Sequence, residues 1–211
     1  MPLYKSVLKD AIVEMEVERS RFIGHVRPVD SKEEADLFIA DVKHNHKTAT
    51  HNVPAFVIGD NFQLQWASDD GEPQGTSGAP IVNMLVKEGI TNVAVVITRY
   101  FGGIKLGTGG LVRAYTGCAK MALERAGICF VDEVILSDIK IGYSEFNRLE
   151  SLMDKDDIFR IINKEYAEIV KMTIEYTQEN AEKTKEMISN YSKGAYTMEN
   201  TRIELRNIPI L

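Results

Sequence analysis

Cysteine is almost missing from this chain of 211 residues, which has two, Cys118 and Cys129. That scarcity excludes a disulfide-stapled scaffold, and the apolar surroundings of both positions predict buried free thiols. No run of about 18 apolar residues occurs, so a transmembrane helix is not expected. The opening Met1-Pro2-Leu3-Tyr4-Lys5 lacks the apolar region of a signal peptide, and the expectation is a cytoplasmic protein with no membrane partner. Low-complexity segments, short repeats and Pro- or Ser-rich linkers are also absent. Net positive charge is lacking, since the formal total is −6. Indiscriminate nucleic-acid binding draws on phosphate neutralisation and is disfavoured by that total, although a local basic face is not. The apolar fraction of 44% suffices for a sizeable core, and the length suits one large domain or two small ones.

Familiar catalytic and metal-binding patterns are missing as well. Ser77 lies in Gly75-Thr76-Ser77-Gly78, which lacks the spacing of a nucleophile elbow. His44, His46 and His51 have no cysteine beside them, and a spacing of two puts His44 and His46 on different sides of a helix. They read as a solvated helix end or an RNA-contacting turn rather than a zinc site. No catalytic residue, metal or cofactor is therefore expected.

What is present centres on Thr98-Arg99-Tyr100-Phe101-Gly102-Gly103-Ile104-Lys105-Leu106-Gly107-Thr108-Gly109-Gly110-Leu111. It joins an apolar strand, Val93 to Ile97, to a helical pattern running from about Leu111 to Ala126. Five of the ten residues from Phe101 to Gly110 are glycine, which permits positive φ and close approach. A helix start offers unpaired N–H groups and partial positive charge. Arg99, Lys105 and Arg113 add full charge, and no Asp or Glu occurs between Glu88 and Glu124. The turn is chemically suited to an anion, yet it matches neither a Walker A loop nor a dinucleotide fingerprint. Tight strand–helix packing is the competing reading.

Asp69-Asp70-Gly71-Glu72-Pro73 gathers three carboxylates in a turn. They could hold magnesium, meet a partner's basic residues, or cap the next helix and shape the turn. If this turn packs against the glycine turn, Glu72 or Asp70 can pair with Arg99. Both turns are too polar to be core, and both precede helices, so they are expected side by side.

Coarse periodicity orders the rest. Ala11 to Arg27 reads as two strands, with Val13, Met15 and Val17 on one face and Phe22, Gly24 and Val26 on one face of the next. Ser31-Lys32-Glu33-Glu34 is a capping box, and Gly59-Asp60-Asn61 lies between two strands of a hairpin. A helix near Ala79–Lys87 ends at Gly89, and Leu111, Tyr115, Cys118, Ala119 and Ala122 share a helical face that ends at Gly127. From Val134 to Arg206 the order is β-α-β-β-α-β, a ferredoxin-like unit. The boundary is expected near Asp132-Glu133, giving domains 1–132 and 133–211.

Arg99-Tyr100-Phe101-Gly102-Gly103 with Leu106-Gly107 resembles the signature of the YigZ/IMPACT family. Asp69-Asp70-Gly71-Glu72-Pro73-Gln74-Gly75-Thr76-Ser77-Gly78-Ala79-Pro80 and the looser Lys47-Thr48-Ala49-Thr50-His51-Asn52 resemble its other motifs, in the same order. The order of elements in the second half is similar to that of the bacterial two-domain members. The resemblance implies an α+β protein: a first domain like domain 2 of ribosomal protein S5, then a ferredoxin-like domain like those of elongation factor G. It also implies a non-catalytic, translation-associated regulator, since the family's eukaryotic relatives oppose activation of a starvation-responsive initiation-factor kinase. The expected partner is RNA or the ribosome, with a protein of the translation apparatus as a further one. The expected anion or nucleic-acid surface comprises Lys47, His51, Arg99, Tyr100, Gly102, Gly103, Lys105, Gly107, Gly109, Gly110 and Arg113. Asp69, Asp70 and Glu72 form the supporting acidic turn. The alternatives are an enzyme or binding protein for a small phosphorylated ligand held by the same loop, and a protein-binding adaptor.

Overall fold

Every position from Val93 to Ile97 is apolar because the strand containing them is covered on both faces. The computed structural model describes residues 2–153 and 158–210. The chain divides into two compact units, Met1–Val131 with Asn207–Leu211, and Asp132–Arg206.

In the first unit the elements are β1 (Tyr4–Val7), β2 (Ala11–Val17), β3 (Ser20–Pro28), α1 (Lys32–Asn45), β4 (His51–Ile58), β5 (Leu64–Ala67), α2 (Gly78–Glu88), β6 (Val93–Tyr100) and α3 (Gly107–Ala126). A five-stranded antiparallel sheet has the order β2-β3-β6-β4-β5. Successive side chains of a strand alternate between faces, and here each face has its own cover. Val93, Val95 and Ile97 pack with Ile81 and Leu85 of α2 and Tyr115, Cys118 and Ala122 of α3. Ala94 and Val96 pack on the other side with Ala35, Phe38 and Val42 of α1. The unit is thus three layers, with β6 at its centre.

The ends of these helices follow the expected chemistry. Ser31 Oγ accepts the Glu34 amide at 3.2 Å, and Glu34 reaches back to the Asp30 amide at 2.9 Å. Gly89 ends α2 in the left-handed region at φ 72°, which glycine enters without steric cost. Gly127 ends α3 with its N–H on the Leu123 and Glu124 carbonyls. Cys118 and Cys129 are free and buried, and burial pushes the Cys118 thiol up to about 12.

Two features depart from the sequence reading. Tyr4–Val7, read as no element, is a strand paired antiparallel with residues 128–131. The strand expected to start at Val134 starts earlier: β7 is continuous from Ile128 to Ile141. In the second unit, β7 is followed by α4 (Tyr143–Met153), β8 (Arg160–Tyr166), β9 (Val170–Tyr176), a single 3-10 turn (Gln178–Asn180), α5 (Ala181–Ser192) and β10 (Tyr196–Pro209). Strand β7 pairs with both β9 and β10, and β8 pairs with β9. Ile135, Ile139 and Ile141 share a core with Val170, Met172 and Ile174 and with Phe146 and Ile188 of the helices. The whole is a mixed α/β protein with antiparallel sheets. Among the described residues no helix is long and apolar enough to cross a membrane.

One close approach fixes the start of the glycine turn. A Cβ on Gly102 would lie 1.9 Å from the Arg19 carbonyl oxygen in the β2–β3 turn, whereas one on Gly109 meets only Arg113 Nη1 at 3.8 Å. Gly102→Ala therefore costs roughly 1–3 kcal/mol of unfolding free energy, as overpacking does. Gly109→Ala, in the first turn of α3, is neutral or stabilising by up to about 1 kcal/mol. Chemical denaturation of the two variants checks both.

Candidate functional site

Arg99 continues the inward row of β6 by one more step and reaches the same side as Ile97. Its neighbours across the sheet are Phe22 of β3 and His51 of β4. The side chain is buried, at 5% exposure. Its Nη1 donates to Glu72 Oε1 at 2.6 Å and its Nη2 to Ser20 Oγ at 3.3 Å. The guanidinium carbon lies 5.3 Å from the Phe22 ring centre and 5.4 Å from that of Phe101, within the range of cation–π attraction. Its Nε has no hydrogen-bond partner among the described residues.

Glu72 is the hub of this arrangement. Besides Arg99, its Oε1 accepts the Tyr115 hydroxyl at 2.7 Å and lies 3.8 Å from His51 Nε2. The His51 Nδ1 contacts the Asp70 carbonyl at 2.8 Å. A carbonyl only accepts, so Nδ1 carries a proton and Nε2 is left toward Glu72. Tyr115 is fully buried and packs edge-on against Phe22 at 5.3 Å. Burial raises its pKa, and the Glu72 carboxylate accepting its hydrogen bond raises it further, so the phenol stays neutral.

The acidic turn keeps Glu72 in place. Asp69 accepts the amides of Gly75, Ser77 and Gly78 at 2.7, 3.2 and 2.9 Å, and the Ser77 hydroxyl at 2.7 Å. Burial alone would raise its pKa, but the hydrogen bonds from Ser77, Gly75 and Gly78 outweigh burial and lower it. Asp70 accepts the Asn52 amide at 2.7 Å and pairs with Lys43 at 2.7 Å. The three carboxylates thus have internal partners, which is the turn-shaping role. Among the described residues no group of three or more His, Cys, Asp or Glu is disposed to hold a metal ion.

The two turns meet across a cleft of about 450 Å³. Pro73, Phe101, Leu106 and Leu111 give it apolar walls, and Thr50, His51, Lys105 and Thr108 give it polar ones. Gly107 lines it at the start of α3 with φ 69°. That helix has Leu106 at its N-cap, with no side-chain cap, and no acidic residue in its first turn. Its leading amides and positive dipole end therefore remain uncompensated by side chains. Lys105 is exposed on the rim, and Arg113 is exposed near Gly109.

Among the expected site residues, His51, Arg99, Lys105 and Gly107 line this cleft together with Glu72. Gly103, Gly109 and Gly110 lie in the same turn or the first turn of α3. Gly102 backs onto the β2–β3 turn, donating its N–H to Ser20 Oγ at 3.2 Å. Lys47 is exposed between α1 and β4 and does not line the cleft. Tyr100 alternates to the opposite face, where its hydroxyl meets His46 Nδ1 at 3.0 Å. Sequence reasoning missed Tyr115, Ser20 and Phe22. A tyrosine on an otherwise apolar helix face was the available signal, because a buried hydroxyl needs a partner.

With this geometry in view, comparison with known proteins is decisive. The Impact N-terminal domain model matches residues 18–123, the span that contains both turns. IMPACT family member YvyE of Bacillus subtilis is 35% identical over 86% of this chain and 83% of its own length. The chain belongs to the IMPACT family. Family member YigZ of Escherichia coli is 32% identical over 85% of this chain and 89% of its own. Mouse Protein IMPACT is 37% identical over 42% of this chain and 29% of its own length. A crystal structure of a hypothetical protein matches with TM-score 0.58 and 30% identity, covering 92% of this chain and 95% of that one.

The face opposite the cleft carries a titration. His25 is buried at 6% exposure, with its ring centre 5.0 Å from that of His46. Burial, and then the neighbouring His46, lower its pKa to about 4. The unfolded chain takes up this proton first, so the contribution to stability is full above the ordinary value and fades as pH falls toward about 4. At about 1.4 kcal/mol per unit, wild type should lose a few kcal/mol relative to His25→Phe across that window. Denaturant unfolding of the pair at stepped pH measures it, and a flat difference would refute a buried neutral His25.

Proposed function

We propose that this IMPACT family protein is a non-catalytic, translation-associated regulator that binds RNA or the ribosome through the rim of the cleft. The observation that carries the reading is a charge imbalance. Glu72, Asp69 and Asp70 have internal partners, whereas among the described residues Lys105 and Arg113 form no ion pair and the start of α3 has no side-chain cap. The net local charge offered outward is positive although the chain is acidic. Phe101, 46% exposed beside them, offers a face on which a base can stack. Arg99 serves this surface from beneath, by holding Glu72 and backing Phe101. The family resemblance, which implies a first domain like domain 2 of ribosomal protein S5 and a second like the ferredoxin-like domains of elongation factor G, supports the same reading, as does the β-α-β-β-α-β order of the second unit. Cytoplasmic residence belongs to this proposal.

The concavity of the cleft favours a second reading, a small phosphorylated ligand seated on the α3 N-terminus. A pocket with apolar walls and a few convergent polar groups suits such a ligand.

The test separates the two. Affinity for a single-stranded RNA is measured against salt concentration for wild type and for Lys105→Ala/Arg113→Ala. Each lost phosphate contact removes roughly 0.7 from the log–log slope, so the double variant should bind more weakly with a slope flatter by about 1.4. Weaker binding at an unchanged slope would remove these residues from the phosphate contacts. Stoichiometric mononucleotide binding without RNA affinity would establish the second reading instead.

A further inference from the structure

Strand β10 is an open edge of the second unit's sheet. Its one partner among the described strands is β7. Ile210 gives its N–H to the Ile128 carbonyl at 3.2 Å. Backbone polar groups along an antiparallel strand alternate in direction. Counting back from Ile210, Thr201, Ile203 and Leu205 turn their N–H and C=O groups away from β7. The Ile203 and Leu205 side chains are 63% and 55% exposed.

Edge strands are ordinarily blunted by bulges, lysines or prolines. The opposite edge of this sheet, β8, has both a register shift between Ile161 and Asn163 and Lys164. Strand β10 has no lysine, its one proline, Pro209, is its last residue, and its left-handed residue, Asn200 at φ 52°, lies just before Thr201 rather than within the segment that follows. The segment from Thr201 to Leu205 is left as a template for another strand.

Its sequence selects which strand. Arg202 and Glu204 flank Ile203 and lie on one face, where Arg202 Nε contacts Glu204 Oε1 at 3.0 Å. An antiparallel copy centred on Ile203 sets each Arg202 opposite the other copy's Glu204, sets Ile203 beside Ile203, and sets Thr201 beside Leu205. Opposite charges directly across a strand pair are favourable and like charges are not. The segment is therefore complementary to itself in antiparallel register and in no need of a different partner. We propose that the β10 edges of two copies of this chain pair antiparallel about Ile203, joining two sheets into one.

Sedimentation velocity on the full chain over a wide concentration range tests this. Wild type should pass from monomer to dimer. Arg202→Glu and Glu204→Arg each place like charges across the edge twice, and each should weaken dimerisation by about tenfold or more. Both positions are exposed, and circular dichroism should report an unchanged fold. An equimolar mixture of the two variants restores both opposite-charge pairs and should dimerise like wild type. A wild-type protein that stays monomeric throughout overturns the proposal. So does a dimer indifferent to both variants, or a mixture that fails to recover.

Discussion

The buried ion pair between Glu72 and Arg99 is the constraint on which the rest of the site depends. Both side chains are about 5% exposed and meet at 2.6 Å, so neither charge is left to water. Removing one partner of such a pair strands the other, at a cost of about 3–5 kcal/mol. The pair ties two segments that no strand pairing joins, the loop before α2 and the end of β6. Tyr115 of α3 donates a hydrogen bond to the same carboxylate oxygen, and His51 Nε2 of β4 lies 3.8 Å from it. Four separate elements are thereby referred to one atom, and the cleft wall inherits its shape from that atom. The same arrangement reassigns Arg99, whose charge is spent inside the protein.

Strand alternation divides the chemistry into two compartments. Odd positions of β4 and β6 near their shared end, His51 and Arg99, serve the cleft. Even ones, Asn52, Thr98 and Tyr100, bond among themselves and with His46 beneath α1. A motif that runs continuously in sequence, Thr98 to Phe101, is thus split between faces, and only part of it can meet one ligand. The charge that remains available outward comes from Lys105 in the turn and from Arg113 and the uncapped start of α3, none of them in the strand.

Much of this was legible in the residues. The capping box at Ser31, the glycine stops at Gly89 and Gly127, the hairpin around Gly59 and the face shared by Tyr115 and Cys118 all rest on local rules, and each appears where those rules put it. The pairing of Glu72 with Arg99 was legible as one option, given two polar turns each leading into a helix. Strand β1 was not, because four residues with a partner far along the chain carry no periodicity of their own. The continuity of β7 was hidden by Asp132 and Glu133, which read as a break and lie inside one long strand, Asp132 half-buried and Glu133 exposed. Nor could the sequence show that Tyr115 lends its hydroxyl to Glu72, since an aromatic on an apolar face reads first as packing.

The central claim is that Arg99 and Glu72 act as one structural unit. A double-mutant cycle on unfolding free energy tests it, with Arg99→Met, Glu72→Gln and the two combined. Gln at position 72 still accepts the Tyr115 hydrogen bond, so the cycle isolates the ion pair. Each single variant should cost about 3–5 kcal/mol, and the double variant should cost less than their sum by at least about 1 kcal/mol. Additive costs would contradict the account, because they would mean that neither charge depends on the other.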